Sequence, residues 1–465
     1  MSADDRRGGL LRRHRDFRLL WGGETANRFG SAVTGLAMPL IAVTALHATT
    51  FQVALLGAAG WLPWLVLGLP VGVWVDRMRR RPVMLASSAA SLALLLTVPA
   101  AAAAGVLTLA QLLAVAVGTG TAGVFFQTAY TAYLPGLLDP ADQAEGNAKL
   151  HGSASAAGIA GLGSGGLISQ LAGPVGGLVA NAATFVFSLW CTARIRHREI
   201  LPPARERSLL REVRDGLGLV FGDVWFRTLT LWGAAGNLAL TGFQSILVVF
   251  LVREVHLPPG AVGSLVAVGS VGGIAGAAVA RRVAAAIGTA RAMLVFEIGL
   301  PLLTLLVPLT SPGAGLAYYL IGAFAVSAGV VAGNVVKSTF QQRYCPPELL
   351  GRLSASSAVL NFGAIPVGAV LAGLLGTELG LRPAMWLMTA GVPLAGLILW
   401  FSPVRRCRDL PTGPKAAVPH PDCGVTAQGL GELREAEELR EADPSASGPA
   451  RGQAAAGSRA GTQER

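Results

Sequence analysis

Apolar runs of about twenty residues alternate with short polar connections from residue 19 to residue 402 of this 465-residue chain. Each run is long enough to cross roughly 30 Å of hydrocarbon as a helix. The pattern predicts spans at 19–46, 51–75, 83–104, 107–133, 150–172 and 175–194, then at 226–251, 260–280, 291–310, 314–340, 350–376 and 383–402. The chain therefore reads as an all-α membrane protein with twelve transmembrane helices in two sets of six.

The polar stretches between the runs set the organisation. Residues 1–16 form a basic N-terminal segment, 17–198 a first six-helix bundle, 199–224 a linker and 225–402 a second bundle. The linker carries Pro202, Pro203 and alternating charges from Arg205 to Asp215, which predicts a short surface helix. Residues 403–465 hold too few large apolar side chains to bury, which predicts a disordered tail.

Composition narrows the class. With 52% hydrophobic and 14% charged residues, the chain has too little charge to solvate a globule of its length. The net charge of +11 does not mark a nucleic-acid partner, because the cations fall in short clusters between spans instead of on one soluble module. Those clusters orient the chain. If the N-terminus is inside, the inward segments collect Arg6 to Arg18, Arg77 to Arg81, eight arginines from Arg194 to Arg227, and Arg281, Arg282, Arg343 and Arg405. The outward loops hold only Arg253 and Arg382. The bias places both termini in the cytoplasm. The basic start runs into a stretch too long for a signal peptide, so the first span is expected to be retained. Arginine in place of lysine, with abundant Ala and Gly, fits a high-GC bacterial genome and hence the bacterial cell membrane. Cys191, Cys345, Cys407 and Cys423 show no metal-ligand spacing and lie near the cytoplasmic side, where disulfides are uncommon, so they read as structural. No metal and no cofactor are expected.

Two matches at nearly one offset point to an internal repeat. Gly72-Val-Trp-Val-Asp76-Arg77 after the second span recurs as Gly276-Ala-Ala-Val-Ala280-Arg281, 204 residues on. Asp139-Pro140-Ala-Asp142 recurs as Cys345-Pro346-Pro-Glu348, 206 residues on. Duplicated bundles matter in transporters because they can rock about a site between them.

The stretch from Gly72 to Arg81 closely resembles the loop motif of the major facilitator superfamily, Gly-x-Leu-Ala-Asp-Arg-x-Gly-Arg-Arg/Lys. Gly72, Asp76, Arg77, Arg80 and Arg81 match, and Arg79 replaces the second Gly. A Gly at a helix end permits close helix approach, and a carboxylate four residues later suits the positive end of a partner helix. The start of the eleventh span near Leu350 is the expected helix partner of Asp76, and Asp139, Asp142 or Glu145 the expected partners of the arginines. In that superfamily the motif latches two pseudo-symmetric six-helix bundles on the cytoplasmic side, in the outward-facing state. The run Phe17 to Glu24, Leu62-Pro63, Asn181 to Phe185, and Pro346 with Leu350-Gly351-Arg352 are similar to the macrolide-efflux and siderophore-exporter branch. In the fifth span the antiporter signature Gly-Pro-x-x-Gly-Gly is replaced by Gly161-Leu162-Gly163-Ser164-Gly165-Gly166, which keeps the glycines and loses the proline.

The resemblance implies a monomeric proton-coupled exporter of small amphiphilic compounds working by alternating access, and no enzyme. Spans one, four, seven and ten line the cavity in such a fold, which makes Asn27, Gln127, Tyr130, Asn237, Gln244 and Asn334 substrate-cavity candidates. Charges in mid-bilayer are few and usually face a cavity. Glu24 and Arg28 stand at i,i+4 and can pair on one helix face, either to steady the helix or as a protonatable acid held by a cation. Glu297 in span nine and Lys337 in span ten read as packing and snorkelling residues. No Gly-x-x-x-x-Gly-Lys-Ser/Thr run is present, so transport is expected to be secondary. The rival readings are a nutrient importer on the same fold and a non-transporting sensor acting through its tail.

Overall fold

A computed structural model describes residues 10–197, 199 and 217–413. The expected linker helix, the tail beyond 413 and the side chains of Asp76, Glu348 and Leu350 lie outside the described residues. After a helical turn at Leu10–Arg13 come α1 (Arg15–Thr44), α2 (Thr50–Asp76), α3 (Arg80–Ala103), α4 (Leu109–Leu137), α5 (Pro140–Leu171) and α6 (Gly173–Arg194). Then follow α7 (Val224–Arg253), α8 (Pro259–Ile287), the composite α9 (Thr289–Leu309), α10 (Leu316–Tyr344), α11 (Pro347–Glu378) and α12 (Leu381–Trp400).

Ten of these helices are long and apolar enough to cross a membrane. The other two, α1 and α5, are as long but diluted by polar residues such as Glu24, Asn27 and Arg28 on α1 and Gln143, Asn147 and His151 on α5. Most boundaries fall within a few residues of those the hydropathy predicts. α5 begins ten residues before its expected start at 150, because Asp139 and Pro140 provide an N-cap and a first-turn proline ahead of the apolar run.

Local chemistry explains where helices start. Thr49 and Gln52 form a reciprocal capping box on α2. Asp223 Oδ1 accepts from the amides of Trp225 and Phe226 at 2.7 and 3.0 Å to open α7, while Tyr344 donates its hydroxyl to Oδ2 at 2.9 Å. Two helices take their cap from far away in sequence. Glu199, just past α6, accepts from the amides of Arg80 and Arg81 at the start of α3, both at 2.6 Å. Asp409, past α12, accepts from the Thr289 amide at the start of α9 at 2.8 Å. α9 itself is irregular: α-helical to Leu294, π-helical over Val295–Gly299 and 3-10 over Pro301–Leu309. Pro301 and Pro308 lack the amides that a regular ladder needs.

The packing recurs. α1 lies on α5 and α6, α2 on α4, and α3 on α4 and α6; correspondingly α7 lies on α11 and α12, α8 on α10, and α9 on α10 and α12. The two sets meet where α2 packs on α11 and α5 on α8. Lipid offers no hydrophobic drive to helix association, so close approach over small residues matters more. Gly166 of α5 and Gly263 of α8 face each other so closely that a Cβ on either would overlap the other's backbone. The glycine run expected to pack in α5 supplies this crossing.

Among the described residues three large buried cores result, beside a small fourth of Ala239, Val326 and Val392. One, at the end opposite the arginine clusters, mixes both sets, with Leu40, Leu56 and Leu112 beside Phe250, Tyr319 and Met385. At the arginine-rich end there are two separate cores. Phe17, Met84 and Tyr133 belong to the first set, and Trp225, Phe296 and Phe340 to the second. Residues 403–413, which composition assigned to the disordered tail, are packed: Val404 and Leu410 are buried and Asp409 caps α9. Cys191, Cys345 and Cys407 are buried.

Candidate functional site

The middle of α1 carries Glu24, Asn27, Arg28 and Ser31 at i, i+3, i+4 and i+7, a stripe on one face of the helix. Arg28 Nε donates to Glu24 Oε1 at 2.6 Å, and its Nη2 donates to Gln127 Oε1 of α4 at 2.8 Å. The two partners differ in setting: Glu24 is 5% exposed and Arg28 43%. Glu24 Oε2 is buried and without a hydrogen-bond partner, as is Asn27 Oδ1.

Two cavities adjoin this network. The smaller, about 220 Å³, is lined by Glu24, Tyr130 and the α5 stripe Gln143, Asn147 and His151, and it reaches toward the arginine-rich end. The larger, about 490 Å³, lies within the first set and is lined by Asn27, Ser87, Ser88, Ser91, Trp61 and Trp64 among others. Arg28 and Gln127 line both, so they form the partition between them. The larger volume falls in the range of small-molecule pockets, with apolar walls and a few polar groups. No acid lines it.

The other sequence-derived candidates are distributed differently. Asn237 donates to Asn361 Oδ1 at 3.2 Å, joining α7 to α11. Gln244 and Asn334 are exposed, and neither they nor Asn237 line the two cavities.

The loop motif also departs from expectation. Asp142 and Glu145 pair with Arg13 at 3.5 and 3.8 Å instead of with the motif arginines, because α5 begins beside the N-terminal turn. Arg81 binds the last carbonyls of α6, donating to Thr192 at 3.1 Å and Ala193 at 2.7 Å. That is the favourable position for a cation at a helix C-terminus. Arg80 has a buried Nε without a partner, and Arg77 is exposed. Among the described residues, no atom lies within contact of a Cβ built on Gly72. Its repeat counterpart Gly276 makes a close approach, against the Ala328 backbone of α10. At the same end His14, Asp139 and Asp142 bring ligand atoms within 4.8 Å of one another, but Asp142 is already engaged by Arg13.

The family model of the Major Facilitator Superfamily matches residues 20–356. The chain belongs to that superfamily. It is a multi-pass membrane transporter and not an enzyme. The chain is similar to the multidrug efflux pump Tap of Mycolicibacterium fortuitum, 25% identical over 401 residues that cover 83% of this chain and 95% of the relative. Among solved structures it resembles a bacterial homologue of the iron transporter ferroportin in an inward-facing state, with a TM-score of 0.68 at 17% identity, covering 84% of this chain and 99% of the other. It also resembles the nucleoside transporter NupG, with a TM-score of 0.67 at 11% identity over 82% and 97% of the two chains. At these identities the structural likeness concerns the fold.

Within this major facilitator fold, several cavity residues escaped the sequence reading. Ser87, Ser88 and Ser91 are buried on α3, a helix outside the four expected to line the cavity. Their i, i+1, i+4 spacing in an apolar span was the available signal. Phe362 of α11 stacks on Trp61 of α2, with centroids 6.0 Å apart, and meets Trp64 at a tilt, with centroids 5.5 Å apart. Nothing local announces such a contact between the two sets.

Proposed function

We propose that this superfamily member is a proton-coupled exporter of small amphiphilic compounds, acting as a monomer in the bacterial inner membrane. Its arginine-rich end and both termini are cytoplasmic, and all twelve long helices span the bilayer. Residues 17–198 and 225–402 then form two pseudo-symmetric six-helix bundles that rock against each other. The recurring helix pairings support the two-bundle reading. α1 and α5, less apolar than the other ten, turn Glu24 and Arg28 and Gln143, Asn147 and His151 to the smaller cavity.

The observation that carries the coupling is the partition. Arg28 contacts both Glu24 and Gln127 and lines both cavities. A proton reaching Glu24 through the smaller cavity cancels the charge that holds Arg28. The guanidinium then keeps only Gln127 and is free to turn toward the larger cavity, so the protonation state is felt at the cargo site. That cavity offers aromatic walls, hydroxyls, amides and one cation with no acid, which suits a neutral or weakly acidic amphiphile. The shared core at one end and the separate cores at the other fit an inward-open arrangement. Outward opening brings the two cytoplasmic cores together and lets Asp76, with Arg77 beside it, latch against the start of α11.

The test is expression in an efflux-deficient bacterial host, scoring resistance to a panel of antibiotics and dyes with and without a proton uncoupler. The wild type is expected to confer resistance that the uncoupler removes, and Glu24→Gln to behave as empty vector while still folding. Asp76→Asn is expected to fold and lose most flux. Resistance untouched by the uncoupler or by Glu24→Gln overturns the proton-coupled reading. Accumulation of a probe in place of its extrusion overturns export in favour of import.

A further inference from the structure

A second intramembrane acid stands apart from the Glu24 network. Glu297 is 5% exposed and sits in the π-helical turn Val295–Gly299 of α9, closed by a hydrogen bond from the Leu300 amide to the Val295 carbonyl five residues back. A π-turn shifts side chains out of the α-helical register, and such turns concentrate at functional sites. Here Glu297 is brought against α10. A Cβ on Gly333 would overlap Glu297 Oε1, so the carboxylate fills the space that any other residue would take there. From the opposite side, Gly396 of α12 packs on the Glu297 backbone.

The carboxylate is accommodated in shape but not in chemistry. Glu297 Oε1 is buried with no hydrogen-bond partner. Among the described residues, the charged group whose field reaches it is Lys337, one turn beyond Gly333 on α10. The two are not within ion-pair distance. Lys337 Nζ lies instead 5.3 Å from the ring centroid of Trp232 on α7. The neighbours from α12 and α7, Gly396 and Trp232, do not titrate. An unpaired acid at this depth is costly and is by default a functional feature, since an apolar side chain would satisfy a purely packing role.

We propose that Glu297 is a second protonation site of this transporter, and that its proton decides whether Lys337 pairs with it or rests on the Trp232 ring. Glu297 takes one proton from water to become a neutral acid and returns it to water, while Lys337 remains an ammonium and no other bond changes. The observed arrangement, with Lys337 on Trp232, is the protonated form. Loss of the proton leaves a buried anion one turn from a cation, and their attraction in a poorly polarisable interior draws Lys337 off the ring. The inference rests on the proton-coupled reading, but it places the second site in the core that belongs to the second set alone.

The test uses the purified full-length protein in lipid nanodiscs and needs no cargo. Trp232 fluorescence, taken as wild type minus Trp232→Phe, is followed from acid to alkaline pH, while an indicator dye counts the protons released. The wild type is expected to show a reversible transition that Glu297→Gln and Lys337→Met each abolish, with Glu297→Gln releasing one proton fewer. The double variant Glu297→Gln/Lys337→Met keeps the site neutral. It should fold even if the single variant does not, and it should show no transition. Glu24→Gln is expected to leave the transition in place, so failure of the Glu24 reading and failure of this one are distinguishable. A transition that persists in folded Glu297→Gln or in the double variant, or a folded wild type without one, overturns the proposal.

Discussion

Asn181 shows how much one amide can organise inside a membrane helix. Its Nδ2 donates to Thr34 Oγ1 at 2.6 Å, and its Oδ1 accepts from Thr184 Oγ1 at 2.9 Å directly over Gly30 of α1. A methyl at Gly30 would strike both Asn181 and Thr184, so Gly30→Ala is expected to cost about 1–3 kcal/mol, the usual range for overpacking. A lowered melting temperature in detergent checks it. Farther out, Glu145 accepts from the Leu10 amide at 3.1 Å, and that bond, with Lys149 and Arg13, holds its carboxyl below the usual carboxylate range. A lowered folded-state value means the docking of the N-terminal turn is fully present above the ordinary carboxylate range and is lost as pH falls through the depressed value. The protection of the Leu10 amide from hydrogen exchange, taken relative to the intrinsic rate at each pH, should therefore fall on acidification in the wild type. In Glu145→Gln that protection should be low and nearly independent of pH. Glu24 with Arg28 was legible in the sequence because an i,i+4 pair is local. Ser87, Ser88, Ser91 and Gln127 acquire their meaning only when α1, α3 and α4 meet around a cavity.

At the scale of elements, hydropathy located the helices and missed what happens inside them. It has no access to hydrogen-bond register, so the π and 3-10 turns of α9 were invisible, although Pro301 and Pro308 marked the stretch as unable to keep a regular ladder. It also started α5 where the apolar run begins, whereas the helix already begins ten residues earlier, at Pro140 in its first turn. The two remote caps were equally unreadable, since Glu199 and Asp409 sit in stretches that look like linker and tail. Asp409→Ala removes the acceptor for the Thr289 amide and is expected to cost about 0.5–2 kcal/mol, as for other lost N-caps. Thermal unfolding measures it, and Asp409→Asn should recover most of the loss. Truncation after 413 should leave flux and stability intact, while truncation after 402 should lower stability through Asp409 and the buried Leu410 together. Full flux after the first truncation also counts against a sensor that reads through its tail.

For the whole molecule, on the alternating-access reading proposed above, the distribution of cores gives direction to the motion. The common core at the arginine-poor end is reinforced by Arg253, whose Nη2 donates to the Ala48 carbonyl at 2.7 Å, tying α7 to the turn between α1 and α2. A charged hydrogen bond of this kind contributes about 1.5–3 kcal/mol. Its loss in Arg253→Ala should shift the population toward the opposite, outward-open state by about ten-fold or more, since 1.4 kcal/mol is a factor of ten. A cysteine placed in the α7–α8 turn should then react faster with an impermeant thiol reagent added outside. An unchanged rate would show that the core alone holds that end shut.

The two remote caps also bear on how the chain is made. Glu199 follows α6 by only a few residues and reaches back to the start of α3, and Asp409 stands in the same relation to α12 and α9. Neither clasp can close until the last helix of its own set has left the ribosome, and neither needs anything from the other set. The first set can therefore be completed and proofread in the membrane while the second is still being translated. Each carboxylate closes on its distant helix start only once the helices between the two have been made.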